Sequence, residues 1–344
     1  MKKFFAILLC VCMLVTLVAC NGAGGSKDYK LGMGVVVSMD SSKAGNAQVD
    51  ATVATVVTDA DGKIVACRID VAQNKMDVTD GAVDASKTFE TKMELGDRYG
   101  MAGKVDNNGD GVMKEWYDQT KAFESYVVGK TAAEVEAIET QLVNNHQIAV
   151  DEALLSAGCS MQISEFRDAV VKACKDEQGM SFKAAEGSFT LGVAAKTTAA
   201  ESTAATEDED GTVKMYTDFA AAAVVDSKIV ASLNDAIQPN IKIDIDGEIV
   251  EMSFKATKRE LKSEYGMEGK VDNNGDGIMK EWYVQSEAFS KYVVGKTASE
   301  VSGMKTELVN NHNISTDADL LSAGCTIEIT GICAVVAQSV NNAR

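Results

Sequence analysis

Gly103-Lys104-Val105-Asp106-Asn107-Asn108-Gly109-Asp110-Gly111-Val112-Met113-Lys114-Glu115-Trp116-Tyr117 recurs as Gly269 to Tyr283 with one change, Val112 to Ile278. An identity of that length within one chain marks a duplicated unit. The offset of 166 residues holds through Tyr126 to Thr131 against Tyr292 to Thr297, and through Leu154 to Cys159 against Leu320 to Cys325. Upstream the copies diverge, with Asp61-Gly62-Lys63-Ile64-Val65-Ala66 opposite Ser227-Lys228-Ile229-Val230-Ala231. The chain therefore reads as repeat one over 28–176, a polar linker over 177–187 and repeat two over 188–344.

Each repeat opens with strand-like sequence. Ala51 to Thr58 and Lys63 to Val71 are rich in β-branched residues and flank Asp59-Ala60-Asp61-Gly62, a hairpin signal. Val224 to Val230 carries the equivalent hairpin. The second half of each repeat turns helical: Trp116, Phe123 and Val127 share one helical face, as do Trp282, Phe289 and Val293. Thr131 with Glu134, and Thr297 with Glu300, form capping boxes. A last helix begins near Ser164 or Thr330 and turns Phe166, Val170 and Val171 inward. The fold class is α+β, two homologous domains that are each a small, mostly antiparallel sheet covered by helices. Glu201 to Gly211 is acidic and reads as a solvated, mobile loop.

Lys2 and Lys3, the apolar run Phe4 to Val18, and Leu17-Val18-Ala19-Cys20 form a bacterial lipoprotein signal over 1–19. Cys20 is the expected lipidation site, carrying palmitate or a similar acyl group. Residues 20–27 form the tether that holds the body on the extracytoplasmic face of the cell membrane. The formal charge is -18, and loss of Lys2 and Lys3 with the leader takes it to -20. Such a surface repels nucleic acid, so no nucleic-acid partner is expected. Cys67, Cys159, Cys174, Cys325 and Cys333 form an odd set and read as buried thiols rather than a disulfide framework.

Asp106, Asn108, Asp110 and a carbonyl from Val112 match the opening of a calcium loop, as do Asp272, Asn274, Asp276 and Ile278. The bidentate Glu that should close the loop is a Tyr, while Glu115 or Glu281 sits two residues earlier. The choice between Ca2+ and a plain Asn/Gly/Asp turn stays open. His146 and His312, the two histidines of the chain, read as loop residues. No Ser-His-Asp set, Cys-x-x-Cys pair, phosphate loop or dinucleotide fingerprint is present, which argues against hydrolase or dehydrogenase chemistry.

The hairpin with Asp-Gly-Lys-Ile at its turn, together with Leu155-Ser156-Ala157-Gly158-Cys159-Ser160 and Leu321-Ser322-Ala323-Gly324-Cys325-Thr326, resembles the FMN-binding domain family of exported electron-transfer proteins. In that family an Asp-x-x-Ser/Thr-Gly-Ala-Thr stretch precedes a helix, and its last Thr is esterified through phosphate to FMN. Aligning the glycines puts Cys at the Ala position and Ser160 or Thr326 at the attachment position. The resemblance implies phosphate donors at Gly158 and Gly324 beside a helix start, and a ring slot that Trp116 and Trp282 could wall, although their apolar setting reads first as core.

The leading expectation is a lipid-anchored, possible electron carrier with two FMN-binding-like domains and a redox partner protein. The alternative is a flavin-free binding or scaffold lipoprotein, calcium-stabilised, in which the same residues form a tight turn. Cys20→Ser should accumulate as an unprocessed, unlipidated precursor. Normal processing and lipid labelling of that variant would refute the anchor.

Overall fold

The computed structural model describes residues 25–105, 107, 111–273 and 277–344. The leader, Cys20, and the expected calcium ligands Asp106, Asn108, Asp110, Asn274 and Asp276 lie outside these residues.

Repeat one begins with three long strands, β1 (Lys27–Ser38), β2 (Asn46–Thr58) and β3 (Ile64–Asp77). It continues through helices α1 (Lys92–Leu95), α2 (Trp116–Val127) and α3 (Ala132–Glu136), the hairpin β4 (Thr140–Val143) and β5 (His146–Ala149), and helices α4 (Glu152–Ser156) and α5 (Ser164–Cys174). Strand β6 (Met180–Ala184) follows. Repeat two contains β7 (Thr190–Thr198), β8 (Gly211–Val213), β9 (Tyr216–Val225), β10 (Lys228–Ile237), β11 (Asn240–Ile243) and β12 (Ile249–Ser253). It ends with α6 (Lys258–Leu261), α7 (Trp282–Tyr292), α8 (Ala298–Ser302), β13 (Thr306–Val309), β14 (His312–Ser315), α9 (Ala318–Ser322) and α10 (Thr330–Asn341). The α+β class and the small antiparallel sheets match the expectation.

Turn chemistry explains the hairpins. Asp59 accepts from the N–H groups of Asp61 and Lys63 at 3.0 and 2.9 Å, closing the β2–β3 turn over left-handed Gly62. The β9–β10 turn has two residues, Asp226 and Ser227, both at positive φ, the twist that a two-residue hairpin requires. Both predicted capping boxes are formed, at Thr131 with Glu134 and Thr297 with Glu300.

The two central sheets run β3-β2-β1-β6 and β10-β9-β7. Their registers make β1, β2 and β3 the counterparts of β7, β9 and β10: Met33 faces Thr55 as Val193 faces Ala221, and Val53 faces Asp70 as Phe219 faces Asp235. Alternate residues then sort into layers. Ala51, Val53 and Val57 pack with Phe219, Ala221 and Leu233 of the other sheet, whereas Ala54 and Val56 pack with Trp116, Phe123 and Phe166 of their own helices. Ala194, Ala220 and Ala236 likewise meet Trp282, Phe289 and Val336. The order of layers is helix, sheet, sheet, helix, and burial on both faces explains the near-continuous apolar strands. Helices α5 and α10 lie close on their sheets. A Cβ at Gly32 would come within 2.0 Å of the Ala173 carbonyl, and one at Gly192 within 1.8 Å of the Ser339 carbonyl.

Two readings of the sequence are corrected. The stretch 177–187, read as a linker, contains β6, which extends the first sheet by pairing with β1. Residues 201–211 do not form a wholly solvated loop: Ser202 and Ala205 are buried, and the Ala205 N–H donates to the Gly81 carbonyl at 2.9 Å. Only 206–210 remain exposed throughout. Among the described residues, no helix is long and apolar enough to cross a membrane.

A buried ion pair ties the repeats together. Arg259 on α6 donates to Asp176 beyond α5 at 3.2 Å, with their side chains 8% and 9% exposed. Asp176 also accepts from the Met33 N–H, and Arg259 and Gln178 each donate to the other's carbonyl. Removing one partner strands the other charge in a dry site. Asp176→Ala should therefore lower unfolding stability by about 3 kcal/mol. Lys172→Ala breaks the more exposed Lys172–Glu260 pair and should cost less than about 1 kcal/mol. Urea melts of both variants check the contrast, and equal losses would contradict it.

Candidate functional site

The same cleft is built twice. In repeat two, Lys258, Tyr265, Met267, Met279, Trp282 and His312 line a cavity of about 390 Å³. In repeat one, Lys92, Tyr99, Met101, Met113, Trp116 and His146 line a cavity of about 660 Å³. These six pairs keep the 166-residue offset. Both volumes suit a small organic ligand.

Local sequence explains how each wall is held. Thr91 and Thr257 cap α1 and α6 through capping boxes with Glu94 and Glu260. Asp70 and Asp235 reach under the same helices and accept the N–H groups of Met93 and Arg259. The short helices thereby carry Lys92 and Lys258 to the clefts. Lys92 Nζ sits 5.0 Å from the Tyr99 ring centre and 5.6 Å from that of Trp116. Lys258 Nζ sits 4.9 and 5.4 Å from Tyr265 and Trp282, and 4.8 Å from Tyr216. Cation–ring attraction and buried stems favour these positions.

The second cleft is the drier one around its lysine. Lys258 is 7% exposed and donates to the Tyr216 hydroxyl at 3.2 Å, and Tyr216 in turn donates to Asp218. Burial lowers Lys258 to about 8, against the opposing pull of Asp218, Asp235 and Glu201. Burial raises Asp218 to about 7, with Lys258 and the Tyr216 hydrogen bond pulling it back. Asp235 rises to about 6 and Asp70 to about 7 for the same dominant reason.

The residues expected to hold a flavin phosphate have other work. Gly158 and Gly324, at φ +90° and +88°, end α4 and α9 rather than begin α5 and α10. Their N–H groups donate to the carbonyls of Leu155 and Leu321, both at 2.8 Å. Gln119 accepts from the N–H groups of Ser160 and Met161, and Gln285 from both the N–H and the hydroxyl of Thr326. Ser160 and Thr326 are 6% and 4% exposed. The residues that follow them, Met161 and Ile327, do reach the cleft walls.

Glu115 and Glu281, expected near the calcium loops, hold backbone beside them. Each carboxylate accepts from two backbone N–H groups, of Met101 and Ala102 or of Met267 and Glu268, and stands at the N-cap of α2 or α7. Val112 and Ile278 form antiparallel bridges to Val105 and Val271, and Asp272 accepts from the Gly277 N–H at 3.2 Å. Among the described residues, no group of three His, Cys, Asp or Glu could hold a metal ion. His146 and His312 are exposed at the cleft mouths, not in plain loops, because the Asn144-Asn145 and Asn310-Asn311 turns deliver them there. Trp116 and Trp282 are both core and wall, at 3% exposed. The five cysteines among the described residues are free thiols, four of them buried.

Sequence reasoning misses Lys92, Tyr99 and Met101, yet a signal exists. Thr91-Lys92-Met93-Glu94-Leu95 and Tyr99-Gly100-Met101 recur as Thr257-Lys258-Arg259-Glu260-Leu261 and Tyr265-Gly266-Met267, at the same offset.

No family model matches the chain, and no solved structure does. The chain is 38% identical over 99 residues to a chlorophenol reductase of Desulfitobacterium hafniense, a match that spans 25% of this chain and 28% of that protein.

The three raised aspartates set a pH dependence. Asp70, Asp218 and Asp235 hold protons more tightly folded than unfolded, so their contribution is complete below about pH 4 and is lost as pH rises through about 6 to 7. The melting temperature should fall from about pH 5 to about pH 7, above the range where ordinary carboxylates titrate. Asp218→Asn should reduce that slope. A melting temperature that rises across this interval would contradict the assignment.

Proposed function

We propose that this chain is a lipid-anchored, extracytoplasmic binding protein with two equivalent clefts, each taking a flat, largely apolar ring compound without a covalent bond. One observation carries the reading: the cleft of Lys, Tyr, Trp, His and two Met is built twice, while the neighbouring turn hydroxyls are buried. Flat walls of Trp and Tyr suit a ring, and the methionine thioethers adapt to its edge. The anchor rests on the leader and Cys20.

The electron-carrier reading has its own support. Met161 and Ile327 connect the Ser160 and Thr326 turns to the clefts, so a flavin ring in the cleft would lie near its expected attachment residue. A partial relative is named for reduction of a chlorophenol, and a reduction consumes electrons. Esterification of Thr326 would first have to break its hydroxyl bond to Gln285.

Mass spectrometry of the mature protein from its native host, intact and after denaturation, separates these readings. We expect a ring compound released on denaturation and an intact polypeptide mass free of an FMN phosphoester. An FMN adduct lost in Thr326→Ala would carry the electron-carrier reading instead. A colourless protein that releases nothing and whose tryptophan fluorescence responds to no planar ring would overturn both.

A further inference from the structure

Among the differences between the two clefts, one is a compensating exchange. Thr52 on β2 faces Val71, and Asp218 on β9 faces Ala236, so the registers make Thr52 and Asp218 counterparts. Glu165 and Gly331 are likewise counterparts, each the second residue of its last helix. In repeat one the helix supplies the carboxylate: Thr52 donates its hydroxyl to Glu165 at 3.0 Å. In repeat two the strand supplies it, and the helix has no side chain, because a Cβ on Gly331 would lie 2.4 Å from the Asp218 carboxylate. The carboxylate changes its element of origin and keeps its place on the cleft wall that also holds the lysine.

We infer that each cleft recognises its ligand through this lysine–carboxylate pair, and that the ligand is a neutral flat ring bearing a carbonyl beside an N–H, an imide or lactam edge. The inference rests on the proposed cleft reading and names the ligand class. The ammonium donates to the carbonyl and the carboxylate accepts from the N–H, a match that a purely apolar ring cannot make. A ring lacking the N–H leaves the carboxylate without a ligand partner, which is how a polar site discriminates near-isosteres. Around Lys258, Tyr216 and Asp218 come from β9, Asp235 from β10, Glu201 from the segment after β7, and Tyr265 from the turn after α6. Glu328 bears on Asp218, and His312 stands at the mouth.

The probes are naphthalimide and N-methylnaphthalimide, titrated near pH 8, with quenching of Trp282 read in a Trp116→Phe background. The N–H form should bind roughly tenfold tighter or better, as expected for one hydrogen bond to a charged acceptor. Asp218→Ala should bring the two probes within about twofold of each other, since the acceptor for the N–H is lost. Asp218→Thr with Gly331→Glu transplants the arrangement of repeat one and should restore the preference. If that variant does not fold, Thr52→Asp with Glu165→Gly, read on Trp116 in a Trp282→Phe background, makes the reverse exchange and should keep the preference. Equal binding of both probes to the parent, or a folded exchange variant without preference, would overturn the pair while the cleft reading stands. No quenching by either probe would overturn the pair, and together with no ring compound released from the native protein it would overturn the cleft reading as well.

Discussion

The face-to-face packing of the two central sheets is the contact on which the rest of the molecule depends. Each repeat owns helices enough to cover one face of its sheet. The other face carries Ala51, Val53 and Val57 in repeat one, and Phe219, Ala221 and Leu233 in repeat two, and only the partner repeat covers it. An apolar sheet face left to water is costly, at about 25 cal/mol for each Å². The duplication therefore reads as a single folding unit rather than two beads on a tether. Strand β6 joins the first sheet, the Asp176–Arg259 pair sits at the seam, and Ala205 reaches back to Gly81.

Sequence reasoning reaches the repeat, the hairpins, the capping boxes and the terminal helices because each leaves a local mark: an identity, a turn, or a hydroxyl three residues before a glutamate. It does not reach the partner of a strand face. The run Phe219-Ala220-Ala221-Ala222-Ala223 is alanine-rich and a poor strand by propensity. It is a strand because a helix presses on one side and a sheet on the other. The linker reading fails for a related reason. Met180 and Phe182 alternate with polar residues over too few positions to declare a strand, and pairing with β1 decides the matter.

The clefts are legible in part. Trp116 and Trp282 read as walls or core and are both, whereas the histidines read as loop residues because sequence does not show where a two-residue Asn turn aims the next side chain. Glu115 and Glu281 have a role that sequence does not show. A carboxylate near an Asp/Asn/Gly run suggests a cation, and each one also accepts from two backbone N–H groups. The lysines escape notice because their repeat is short and flanked by substitutions, and because a buried lysine declares itself only through what surrounds it. The same sheet packing that joins the repeats fixes the strands from which Asp218 reaches its cleft and Asp70 and Asp235 hold the helices that carry the lysines.

Hydrogen exchange across a urea series, read by mass spectrometry on peptides from β2 and β9, tests the single-unit account most directly. The slowest amides of both strands should open with the same free energy and the same urea dependence, as expected when neither sheet persists without the other. Strands of one repeat that stay protected after those of the other have exchanged would contradict it.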